Sequence, residues 1–88
     1  MIEEQDISED ADFGRYVKVT WVDSGLAVHP GWQTRADLPG NVATVESIGI
    51  WVGENDNVVA LAGTRSGDAI LNCQLIYKPC IISKEWLS

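Results

Sequence analysis

Apolar residues recur at every second position over much of this chain, the spacing of strands rather than of helices. Tyr16-Val17-Lys18-Val19-Thr20-Trp21-Val22 places Val17, Val19 and Trp21 on one face and is rich in β-branched and aromatic residues, so it predicts a first strand. That strand ends at Asp23-Ser24-Gly25, and a long connection runs to Asn41 with Trp32, Pro30, Pro39 and three glycines in it. Its length exceeds that of ordinary connections, which marks it as a binding loop. A second strand is predicted over Val42–Val52, a turn over Gly53–Asn57 and a third strand over Val58–Thr64. Arg65-Ser66-Gly67-Asp68 turns the chain again into a fourth strand, Ile70–Tyr77. Lys78-Pro79-Cys80 interrupts it before a short last element that begins at Ile81-Ile82. No segment carries an apolar stripe at the helical period. The fold expected is all-β: a small five-stranded antiparallel barrel or rolled sheet with a long first loop.

Two stretches break the alternation. Ile48-Gly49-Ile50-Trp51-Val52 and Val58-Val59-Ala60-Leu61-Ala62 are apolar on both faces. A domain this small has one interior, so such strands need a second cover: the long loop, the N-terminal segment or another subunit. Four tryptophans in 88 residues point to the same need. Self-association is therefore expected, with Ile50, Trp51, Val59 and Trp86 at the interface.

Charge divides the chain unevenly. Residues 1–12 carry Glu3, Glu4, Asp6, Glu9, Asp10 and Asp12 with no Lys or Arg, whereas the remainder nearly balances its acids and bases. The chain thus reads as an acidic N-terminal tail, residues 1–12, on a nearly neutral domain, residues 13–88. The simplest expectation is a solvated tail; the functional one is an arm that docks on a basic partner or a neighbouring subunit. The length allows one domain, no apolar run is long enough to span a membrane, and the start lacks the basic and apolar regions of a signal peptide, which predicts a cytosolic protein.

The chemistry available is limited. A single histidine, His29, excludes a multi-histidine metal site, and Ser24 and Asp23 beside it lack a nucleophile-elbow pattern. Cys73 and Cys80 are too few for a zinc site and are expected to be reduced. No catalytic residue, metal or cofactor is assigned. Six scattered basic residues against thirteen acids argue against duplex nucleic acid. A small anion or nucleotide needs only one or two arginines and an aromatic platform, which makes Trp32, Arg35, Arg65 and Ser66 the candidate ligand-binding residues.

Val17–Ser24, Gly31-Trp32, Val45–Val52 and Leu75–Ile82 together resemble a group of small phage and prophage proteins that share a W-x-D-S strand end, a G-W in the following loop, an S-V-G-W/Y-x-V strand and a closing I-P-K-x-x-I. The chain departs from that pattern at Tyr77-Lys78-Pro79, where Pro and Lys are exchanged. The proline-containing turn before the last strand is also similar to that of Src-homology-3-type barrels, which would make Ser24–Asn41 the specificity loop. The Ala-Leu-Tyr-Asp-Tyr motif of peptide-binding members is missing, so proline-rich ligands are not implied. The phage likeness implies a non-enzymatic accessory protein that acts against host defence in the host cytoplasm. Three modes follow: an oligomer sequestering a small anionic or nucleotide signal, direct inhibition of a host protein through the acidic surface, or a structural role in the particle.

Overall fold

The computed structural model describes residues 6–23, 35–37 and 43–88. Five strands form one antiparallel sheet: β1 (Tyr16–Asp23), β2 (Ala43–Glu54), β3 (Val58–Ser66), β4 (Ala69–Tyr77) and β5 (Ile81–Trp86). The all-β expectation holds; β1, β3 and β4 are one or two residues longer than the alternation predicts, and β2 begins one residue later and ends two later. Among the described residues the helical elements are two single turns of 3-10 helix, Arg35–Asp37 and Lys78–Cys80, and no helix is long and apolar enough to cross a membrane.

Strand order is β4-β3-β2-β1-β5. The first four strands are consecutive neighbours, while β5 returns beside β1 at the far edge. Only Lys78–Cys80 links β4 to β5, so the two edges must converge at that end although the sheet does not close into a barrel. Pro79 suits this link, because its fixed φ favours the first helical positions. The Lys78 N–H donates to Asn57 O at 2.9 Å and its ammonium lies 3.4 Å from Glu54, which ties the link to the β2–β3 turn.

The core lies on one face of the sheet. Val17, Val19, Trp51, Val59, Leu61 and Ile76 are buried together, with Trp21, Ile81 and Trp86 packed against them. Val17 pairs with Gly49, and a Cβ on Gly49 would come within 3.0 Å of Ala62 O, so glycine lets β2 and β3 approach closely there. Trp21 Nε1 donates to Ser47 Oγ at 2.9 Å, which satisfies its polar tip at the core margin.

Burial on both faces is real for β3, where Val59, Ala60, Leu61 and Ala62 are all inside. It fails for β2, because Ile48 is 67% exposed. Trp51 and Val59, expected at an interface, are 2% and 4% exposed within a single chain. Ile50 and Trp86 are half-buried. From Gly63 to Leu75 every residue is exposed, so the β3–β4 hairpin stands clear of the core.

Candidate functional site

The site begins with the acidic N-terminal segment, which is built into the fold from Ser8 onward. Asp10 caps a local turn: its Oδ1 accepts the Asp12 N–H at 2.8 Å and its main-chain carbonyl accepts the Phe13 N–H at 3.1 Å. Gly14, at φ +98°, takes a conformation that few side chains tolerate and turns the chain into β1. Three backbone bonds then hold the segment along β2: Gly14 N–H to Trp51 O, Trp51 N–H to Arg15 O, and Ser8 N–H to Glu54 O, all 2.8–3.0 Å. Gly53 makes room for it, since a Cβ there would lie 2.7 Å from Ser8 O and 2.8 Å from Ile7 Cγ2. Residues 8–12, expected as part of a tail, are thus tied to β2 through Ser8 and, beyond them, Gly14 and Arg15.

Side chains reinforce the attachment. Trp51 Nε1 donates to Asp10 Oδ2 at 2.9 Å, so the buried indole has its partner in the acidic segment. The Asp10 carboxyl is held below its ordinary range, first by the Asp12 N–H, then by Trp51 Nε1, with Lys84 adding a smaller attraction. Lys84 Nζ sits 4.8 Å from the Trp51 ring centroid and 4.6 Å from that of Trp86. Arg15 covers the other indole at 4.1 Å, pairs with Asp12 at 2.9 Å and donates to Ser88 O. The two ends of the chain thus meet over Trp86.

A cleft of about 440 Å³ opens between this segment and the start of β4. Ile7, Phe13, Val52 and Ile70 are its apolar lining residues, and Glu9, Asp10 and Asp68 are its acidic ones. No Lys or Arg among the described residues lines it. Among the described residues no group of three or more His, Cys, Asp and Glu could hold a metal ion, so the carboxylates offer charge and hydrogen-bond acceptors rather than a coordination cage. Such a lining favours a cationic group on an apolar stem and disfavours an anion.

The residues singled out from the sequence lie elsewhere. Trp32 lies outside the described residues. Arg35 is exposed on the Arg35–Asp37 turn. Arg65 and Ser66 are exposed at the end of β3; the Arg65 guanidinium rests 4.3 Å from the Phe13 ring centroid and its Nε donates to Gly67 O at 2.7 Å. Arg65 thus braces the hairpin against Phe13, itself a residue of the cleft. Cys73 and Cys80 are free thiols.

Sequence reading missed Glu9, Asp10, Asp68 and Phe13 as members of one site. The available signal was the acidic run itself, read there as a tail because nothing in its composition shows which β2 carbonyls its backbone meets. No family model, curated protein or solved structure matches this chain.

Proposed function

We propose that the protein is a non-enzymatic binding module whose acidic cleft takes a basic side chain of a protein partner. The carrying observation is the lining: Glu9, Asp10 and Asp68 beside Ile7, Phe13, Val52 and Ile70, with no Lys or Arg among them. A Lys or Arg side chain has the complementary form, a cationic head on an apolar stem. The acidic chain, with formal charge −7, adds steering toward a basic surface. Sequestration of a small anion draws less support, because three carboxylates at the cleft oppose it and Arg65 is engaged by Phe13 and Gly67. The likeness to phage accessory proteins makes the partner a host protein, whose obstruction is the biological outcome.

Calorimetric titration with a short Lys/Arg-rich peptide tests this. Binding is expected to weaken with added salt, and Glu9→Gln with Asp68→Asn is expected to weaken it roughly tenfold or more while the fold persists. Absence of binding, or affinity unmoved by the paired substitution, would overturn the reading.

A further inference from the structure

We propose that β4 is a self-pairing edge, and that two copies of this chain join by antiparallel contact of their β4 strands along Cys73–Tyr77. β4 ends the sheet, so among the described residues one side of its backbone has no strand beside it. Exposed edges are ordinarily blunted by charge, proline, shortness or bulges. The opposite edge shows these devices: β5 has six residues, contains Lys84 and Glu85, and meets β1 through a register shift at Thr20/Trp21. β4 has nine residues and neither a charged residue nor a proline. Its one irregularity is Asn72 at φ +57°, and the strand is regular beyond it.

The exposed side chains agree with the edge. Leu71, Leu75 and Tyr77, 62%, 63% and 64% exposed, alternate along one face of β4 with the exposed Cys73 among them. The hairpin that carries this strand is exposed at every residue from Gly63 to Leu75.

Charge decides the occupant. A chain of net charge −7 meets its own copy at lowest cost where neither brings a charge, and Ala69–Tyr77 is such a stretch. A basic partner finds no carboxylate on that strand. An antiparallel pair about a two-fold axis is self-complementary and closes after two copies, placing Leu75 against its counterpart. The three apolar side chains expose a few hundred Å², below the ~800 Å² per partner of a standard stable interface, so the dimer is expected in the micromolar range. Salt should strengthen it by screening the acidic bodies.

Sedimentation over a concentration series tests this with the full chain. The expected result is a monomer–dimer equilibrium that tightens with salt and is weakened roughly tenfold or more by Leu75→Lys, with an unchanged far-ultraviolet spectrum. A monomer at all concentrations up to roughly millimolar, or a dimer indifferent to Leu75→Lys, would overturn the proposal. Should that variant unfold, the wild-type chain supplies the reading: amide exchange over Cys73–Tyr77 must slow as protein concentration rises, and exchange independent of concentration rejects β4 pairing. Leu75→Lys is expected to leave basic-peptide binding intact, and Glu9→Gln with Asp68→Asn to leave the dimer intact, so the two proposals fail separately.

Discussion

Asp10 combines more roles than its place in a run of acids suggests. It accepts the Asp12 N–H and the Trp51 indole N–H, and both bonds favour the ionised carboxylate. Its folded-state pKa therefore lies below the ordinary 3.8, and the stability this contributes is fully present above that value. As pH falls through the lowered pKa, the contribution is lost. Asp10→Ala should accordingly cost about 1 kcal/mol near neutral pH and flatten the acid limb of the stability curve, measured by urea unfolding between neutral and strongly acid pH. An acid limb identical to that of the parent chain would show that the two hydrogen bonds contribute nothing. Trp51→Phe separates the indole N–H from the ring. The loss should be about 1 kcal/mol, plus a smaller packing term, because the indole is the largest of the fully buried side chains.

At the scale of elements, the joint between the N-terminal segment and β2 rests on a missing side chain. Gly53→Ala places a Cβ 2.7 Å from Ser8 O and 2.8 Å from Ile7 Cγ2, so the segment must shift away from β2. Faster amide exchange at Ser8 and readier proteolytic removal of the segment are expected, with β1 and β5 protected as before. Exchange at Ser8 equal to that of the parent would mean that the segment does not depend on Gly53. This joint also shows the limit of reading from sequence. The strands were legible because Val17, Val19, Trp21 and the β-branched runs of β2 and β3 record their faces as alternation. Attachment of residues 8–14 uses backbone groups and the absence of a Cβ, neither of which leaves a pattern in side-chain polarity. The Trp51–Asp10 bond was hidden for a related reason: alternation cannot tell which face of an apolar strand is interior, and Asp10 is distant in sequence. The cleft was illegible because Glu9 and Asp68, far apart in sequence, line it together only once the chain is folded.

Over the whole molecule, the acidic segment sets two opposed effects, and removing residues 1–12 decides between them. Deletion takes away six carboxylates and no Lys or Arg, leaving a nearly neutral body. Relief of repulsion is a weak gain, since surface charges are screened within about 8 Å at physiological salt. Against it stand the lost Ser8–Glu54 backbone bond, the lost Asp10–Trp51 bond, and exposure of the surfaces that Ile7 and Gly53 now share. Each bond contributes about 1 kcal/mol, and a change of that size moves the melting temperature of a domain this small by roughly 4–8 °C. The truncated chain should therefore remain folded but melt lower, lose affinity for basic peptides with the loss of Glu9 and Asp10, and still self-associate through β4 with a weaker dependence on salt. A truncated chain that melts at or above the parent's temperature would show that charge outweighs attachment and that the segment is a tail after all. A truncated chain that keeps its affinity for basic peptides would move that site off the cleft, whichever way stability goes.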